Sequence, residues 1–258
     1  MTRLLVSGAT AAMVRSTLEA FAAEGASIAL AARDAERAER LAEALRAGGA
    51  QATCVLPFDA ADPAAADGLV GAAIRELGGL DAVLVAHGAL TDQTRFESDP
   101  EARRRSLQVN GLSAVALRER AAAHFEERGH GCVAAISSGA GARGRRATYG
   151  YGLGKGLVTL CMQGLRARLH RSGVSALTIV PCFVDTPMTA RLPARLRFVS
   201  ADDAGRRIHR AMVRGDDLLH VPRWWRLALL LARNAPEWMV KRSRTEERFA
   251  AQLPGSEE

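Results

Sequence analysis

The sequence predicts an α/β fold: a single Rossmann-type, doubly wound parallel sheet of about seven strands flanked by helices, with an extra C-terminal helical tail. Three observations predict it. Short apolar runs alternate with amphipathic stretches along the 258 residues. The runs are continuous rather than alternating in polarity, as strands covered on both faces require. Residues with chemical potential follow the runs directly, at the carboxyl ends where such sheets bind ligands: Gly8, Arg33, Asp59, His87-Gly88, Ser138 and Pro181.

Taken in order, Arg3–Ser7 is an apolar run ended by Gly8 and reads as the first strand. Ala11–Glu24 has helical periodicity and stops at Gly25. Ser27–Ala32 is a second strand, Ala35–Ala47 a charged amphipathic helix ending in Gly48-Gly49, and Thr53–Phe58 a third strand before Asp59. Ala64–Leu77 reads as helix, Ala82–Ala86 as a fourth strand, and residues 101–128 as one or two helices. Cys132–Ser137 is the fifth strand, Thr148–Arg171 a long helix and Ser175–Val180 the sixth strand. Ser200 caps a helix over Asp202–Arg214, and Leu218–Val221 is a short last strand. Right-handed crossovers then wind helices onto both faces. No Pro/Gly/Ser-rich linker interrupts the chain, so residues 1–222 are expected to form one dinucleotide-binding domain and 223–258 a helical extension.

A hydrophobic content of 48% is ample for a core and excludes a disordered chain. Cys54, Cys132, Cys161 and Cys182 are scattered without a CxxC pair, so reduced thiols are expected and no metal site. The N-terminus enters a strand directly and does not read as a signal peptide, which favours a cytoplasmic location. The net charge is +7, and residues 191–258 hold 14 Lys+Arg against 9 Asp+Glu, five of those seven charges. A basic last quarter suits an anionic substrate or membrane surface. Nucleic acid is not expected, because no basic run is interleaved with aromatics.

Among 35 basic residues only Lys155 and Lys241 are lysines, and the only tyrosines are Tyr149 and Tyr151. Tyr151 and Lys155 are four residues apart, about 400° round a helix, and share a face; Tyr149 points elsewhere. A phenol beside an ammonium is expected to have a lowered pKa and to exchange protons near neutrality.

The first strand-to-helix turn, Ser7-Gly8-Ala9-Thr10-Ala11-Ala12-Met13-Val14, offers a helix N-terminus to a pyrophosphate. Only Gly8 of a dinucleotide fingerprint is present; Ala12 and Val14 stand at its later glycines, and Val14 is expected to narrow the space between helix and sheet. After the second strand comes Ala31-Ala32-Arg33-Asp34. Arginine there favours NADP(H) over NAD(H) by pairing with a 2′-phosphate. The other reading is a solvated Arg33 and an Asp34 that caps the next helix.

These pieces, with Asn110, Ile136-Ser137-Ser138, Tyr151-Gly-Leu-Gly-Lys155, Pro181 and Asp185-Thr186-Pro187-Met188, resemble the short-chain dehydrogenase/reductase family over roughly residues 3–222. The resemblance implies a catalytic tetrad of Asn110, Ser138, Tyr151 and Lys155. Ser138 is preferred to Ser137 because it lies thirteen residues before Tyr151. It implies a ketone reductase in which Tyr151 donates the proton, Ser138 holds the substrate oxygen, Lys155 tunes the tyrosine and holds the nicotinamide ribose, and Asn110 positions a relay water. It implies cofactor contacts from Gly8, Thr10, Ala11, Ala12, Met13, Arg33, Asp59, Ala60, His87, Gly88, Tyr151, Lys155, Pro181, Val184 and Thr186, and a homodimer or homotetramer. Val85-Ala86-His87-Gly88 departs from the family's Asn-Asn-Ala-Gly, and His87 reads equally as a cofactor contact or a structural residue. Cys182 replaces a usual glycine. Glycines at 150, 152, 154 and 156 each cost a helix about 1 kcal/mol, and are expected to admit a neighbouring helix, one from a second subunit.

Arg191, Arg195 and Arg197 fall in the segment that caps substrate in this family, and read either as contacts to an anionic group or as a solvated loop. Arg223-Trp224-Trp225-Arg226, followed by a leucine block to Arg233, suits an interfacial helix over 223–235 or a terminal helix packed on the core; it is too short to span a bilayer. The tail, with His87-Gly88-Ala89-Leu90, Arg143-Gly144-Arg145 and Gln163-Gly164-Leu165-Arg166, resembles the branch that includes decaprenylphosphoryl 2-keto-pentose reductases, which implies a small-molecule or lipid-linked carbonyl substrate. Two other functions compete with the reductase: a non-catalytic nucleotide-binding regulator, suggested by the eroded glycine turn, and a membrane-surface interaction protein built on the tail.

Overall fold

Seven parallel strands in the order β3-β2-β1-β4-β5-β6-β9 form the central sheet of the computed structural model, which describes residues 1–190 and 199–241. The strands are β1 (Arg3–Ser7), β2 (Ser27–Ala32), β3 (Ala52–Pro57), β4 (Ala82–Val85), β5 (Gly131–Ile136), β6 (Val174–Pro181) and β9 (Leu218–Val221). A two-residue pair, β7 (Val184–Asp185) with β8 (Val199–Ser200), lies beside it. The helices are α1 (Ala12–Ala23), α2 (Ala35–Ala47), α3 (Ala65–Leu77), α4 (Gln93–Ser98), α5 (Pro100–Leu107), α6 (Ser113–Arg128), α7 (Tyr149–Leu169), α8 (Ala201–Arg214), α9 (Trp225–Asn234) and α10 (Glu237–Lys241).

Successive strand residues face opposite layers. Leu4 and Val6 pack with Leu18, Leu45 and Ile208 under α1, α2 and α8. Leu5 packs with Leu69, Phe125 and Met162 under α3, α6 and α7. Strand β1 pairs with both β2 and β4, so the winding reverses beside it and the crevice opens there.

Residues 101–128 hold two helices, α5 and α6, as expected. A π-turn over Gln108–Leu112 joins α5 to α6, and α4 precedes both. Val14 is fully buried beneath α1, in the core layer that holds Leu4 and Val6, so its side chain occupies the space between helix and sheet. On its far side α1 meets α8 at Gly205, where a Cβ would lie 2.7 Å from the Met13 carbonyl oxygen.

Candidate active site

A cleft of about 1290 Å³ runs along the carboxyl ends of the strands. Gly8, Thr10, Ala11, Ala12, Met13, Arg33, Asp59, Ala60, His87, Gly88, Ser138, Tyr151, Lys155, Pro181, Val184 and Thr186 all line it. Asn110 lies just behind the wall, 2% exposed. Arg191, Arg195 and Arg197 lie outside the described residues.

At the nucleotide end, Gly8 has φ +72°, and a Cβ there would stand 2.6 Å from the His87 amide nitrogen. Only glycine lets β1 turn this close to β4. Ala11, the N-cap of α1, supplies no side-chain acceptor, and the first turn holds no acid. The helix therefore presents uncapped amides and its positive end to the cleft, which fits a pyrophosphate despite the missing glycines. Asp34 caps α2 by accepting from the Arg37 amide at 2.9 Å, so the capping reading of Asp34 holds, while Arg33 still lines the cleft. Arg37, which sequence reasoning missed, lines it too and donates to the Thr10 carbonyl at 3.2 Å. Its signal was its place in the first turn of α2, just after Arg33.

His87 is bonded to its neighbours through both its ring and its backbone. Its Nδ1 lies 2.8 Å from Ser7 Oγ and its Nε2 2.9 Å from Ser113 Oγ, both pairs buried. Ser113 Oγ donates to the Val109 carbonyl at 3.2 Å. The Ser113 hydroxyl proton is thus committed, so Nε2–H donates to Ser113 and Nδ1 accepts from Ser7. Burial, with Lys155 and Arg118 nearby, pushes the imidazole pKa down to about 3, so this single neutral tautomer persists. The His87 carbonyl accepts from Lys155 Nζ at 3.2 Å.

Lys155 Nζ also donates to the Ile136 carbonyl at 3.1 Å, which leaves one of its three protons for the cleft. Burial lowers its pKa to about 8, helped by the charge of Arg118. Next to it Gly88 has φ +157°, and a Cβ would stand 2.9 Å from Nζ and 3.0 Å from Asn110 Oδ1. Asn110 Oδ1 accepts from the Ala89 amide at 2.9 Å, so the π-turn is pinned to the end of β4.

Tyr151 corrects the expectation of an acidified phenol. Burial pushes its pKa up to about 12, against a smaller downward pull from its hydrogen bond with Ser138. Lys155 Nζ lies 6.0 Å from the tyrosine ring centroid, with both its other bonds spent on carbonyls. The lysine is the member of the pair held near neutrality.

The glycines of α7 are also reassigned: they meet this chain's own elements. A Cβ on Gly150 would lie 2.7 Å from the Phe96 ring, on Gly152 2.8 Å from the Ala140 carbonyl oxygen, and on Gly154 2.5 Å from Asn110 Cβ. They seat the Ser138 loop and the Asn110 turn against the tyrosine helix. Close backbone approach offsets their helical cost. Cys182 is likewise accommodated, its thiol packed where a Cβ on Gly139 would stand 2.5 Å away.

The far wall comes from the C-terminal extension. Leu229 is buried there, and Trp225, Ala232, Ala235, Met239 and Val240 line the cleft with it. Trp225 stacks edge-on against Phe183, ring centroids 5.3 Å apart, and Phe183 holds the strained φ of +52° that delivers its ring there. Arg143 ties the wall to the Ser138 loop, donating to the Arg233 carbonyl at 2.9 Å and pairing with Glu237 at 2.8 Å. No spacing rule in the sequence linked residues 90 positions apart.

Residues 2–197 match the family model described as short chain dehydrogenase. An oxidoreductase of Streptomyces coelicolor is 35% identical over 240 residues, covering 93% of this chain and 94% of that one. An oxidoreductase of Mycobacterium tuberculosis is 34% identical over 220 residues, covering 85% and 88%. Both are described as uncharacterized. Among solved structures, an actinorhodin polyketide ketoreductase with NADPH superposes with TM-score 0.75 at 20% identity, covering 85% of this chain and 95% of that one, a likeness in fold. With its parallel sheet, nucleotide turn and gathered polar residues, this chain belongs to the short-chain dehydrogenase family and is an NAD(P)-dependent oxidoreductase of that family.

Proposed function

We propose that the protein reduces a ketone to a secondary alcohol with NADPH. One observation carries the reading: Tyr151, Ser138 and Lys155 line one cleft, backed by Asn110, while Arg33 and Arg37 line the same cleft beside the nucleotide turn. The nicotinamide, when bound, supplies the hydride for the carbonyl carbon. Ser138 and Tyr151, bonded to each other, together hold the substrate oxygen, and the phenol releases its proton to it. Lys155, fixed by the His87 and Ile136 carbonyls, keeps a positive charge and a spare proton beside the nicotinamide ribose. Asn110, anchored through Ala89, holds the π-turn where a relay water would sit. The decisive assay is NADPH titration of the pure protein, then NADPH oxidation with a panel of ketones; absence of NADPH binding overturns the reading.

The substrate we propose is a keto-sugar carried on a lipid phosphate at the inner face of the membrane. Support comes from the apolar wall of α9 and α10 and from Arg145, which lines the cleft. The proposed assembly is a homodimer or homotetramer through α6 and α7, where Leu112 of the preceding π-turn and Leu153, Leu157 and Leu160 of α7 are exposed.

Two results are expected. Replacing Arg33 and Arg37 together by alanine weakens NADPH binding by roughly 10- to 100-fold and leaves NADH binding within about twofold, as measured by fluorescence titration. The kcat/KM for reduction is flat below about pH 7 and falls through pH 8, because Lys155 loses its proton around its pKa of about 8 while Tyr151, at about 12, stays a phenol. A rate that rises through pH 8 would reverse these roles.

A further inference from the structure

Helix α9 is apolar on two opposite faces, and the cleft occupies only one. Leu229 and Ala232 face the cleft. Leu227, Leu230 and Leu231 point the other way and are 66%, 56% and 73% exposed, with Trp224 and Trp238 exposed beside them. A helix that lies on a soluble core has no need of that second face.

Charge identifies what covers it. Arg223, Arg226, Arg233 and Lys241 are exposed around the patch, and none makes an ion pair among the described residues. Glu237, the one acid in 223–241, is already paired with Arg143. A second copy docked symmetrically here would set these cations against themselves. The apolar patch on α6 and α7 differs: Arg168 pairs there with Glu119 at 2.8 Å and Glu126 at 3.3 Å, so both signs are present for a partner copy. Leucines and tryptophans within a rim of four cations, whose one acid is paired with Arg143, match an anionic lipid surface, with the side chains sunk at headgroup depth and the arginines on phosphates.

We propose that the outer face of α9 docks on anionic membrane, so that the helix stands between the lipid surface and the catalytic cleft. One face of α9 meets acyl chains while the other forms the cleft wall, and an amphiphilic substrate reaches the wall from the bilayer without crossing water. The docking stands on the surface alone; what it delivers rests on the ketone-reductase reading.

The test uses the full chain and vesicles of phosphatidylcholine with and without phosphatidylglycerol, in a flotation assay. The wild type is expected to float with the anionic vesicles and not with the neutral ones, and to be released by high salt. The triple variant Leu227→Gln, Leu230→Gln, Leu231→Gln is expected to lose at least roughly tenfold in partitioning. None of these leucines lines the cleft, so NADPH binding and turnover of a water-soluble ketone are expected to be unchanged. Equal flotation of the wild type and the triple variant, or no flotation of the wild type, overturns the proposal. So does a concentration-dependent dimer, seen in gel filtration without lipid, that the triple variant loses. Vesicle binding by a protein that reduces no ketone would keep the docking and remove the reaction.

Discussion

Tyr151→Phe is expected to lower kcat for ketone reduction by about 10²- to 10⁴-fold, the usual worth of a positioned general acid, while NADPH affinity stays within about twofold. The substitution removes one oxygen and keeps the ring, so the packing of α7 against the Ser138 loop is undisturbed. The missing oxygen is the only phenol in the cleft, because Tyr149 packs edge-on against Phe96 instead, with ring centroids 5.6 Å apart. With its pKa pushed up to about 12, Tyr151 is a weak acid before substrate binds. Negative charge growing on a carbonyl oxygen, beside the lysine ammonium, is what draws its proton across. The loss should therefore appear in kcat rather than KM. Ser138→Ala should cost less, since it removes one hydrogen bond to that oxygen and leaves the acid. Stopped-flow NADPH oxidation, with cofactor titration as control, checks both; a Phe variant that keeps full turnover would remove the mechanism.

The sheet was legible because each strand is a closed signal, a short apolar run with a turn residue behind it. Bounds such as Ser27–Ala32 and Leu218–Val221 agree with the structure to the residue. The polar positions were legible for a related reason: parallel strands all deliver their last residue to one edge, so sequence order maps onto place. What depends on contacts between distant segments was hidden. The π-turn at Asn110 needs Gly154 across from it, and nothing local in Gln108–Leu112 announces that. Helical spacing correctly put Tyr151 and Lys155 on one face, but it could not show that the fold would bury the phenol and push its pKa up to about 12. The expected acidification of the tyrosine failed on that point. The glycines of α7 were expected to admit a helix from a second subunit, whereas Gly150, Gly152 and Gly154 meet Phe96, Ala140 and Asn110 of the same chain.

His87→Leu is expected to lower both stability and turnover, and His87→Gln to restore much of each. The imidazole joins three elements: β1 through Ser7, the end of β4 through its own backbone, and α6 through Ser113. Leucine fills the volume but leaves the buried Ser7 hydroxyl without its acceptor, while Ser113 keeps the Val109 carbonyl. An unsatisfied buried hydroxyl costs about 1–3 kcal/mol, read as a fall in urea midpoint at constant m. The His87 carbonyl also orients Lys155, so loosening this corner should reduce kcat by roughly tenfold, as misplacement of catalytic groups does. Glutamine carries an amide NH2 donor group and a carbonyl acceptor at its tip, which can serve Ser113 and Ser7. A purely space-filling role would make leucine the better replacement, so the order of the two variants decides the point. Acid stability supplies a second reading. The folded pKa is depressed from 6.5 to about 3, so the wild type has the full contribution of neutral His87 above pH 6.5 and loses it progressively toward pH 3. Glutamine does not titrate. The stability difference between wild type and His87→Gln should therefore be constant above pH 6.5 and shift against the wild type below it. A difference that stays level down to pH 4 would mean the imidazole is not held neutral, and the tautomer that joins the two serines would fall with it.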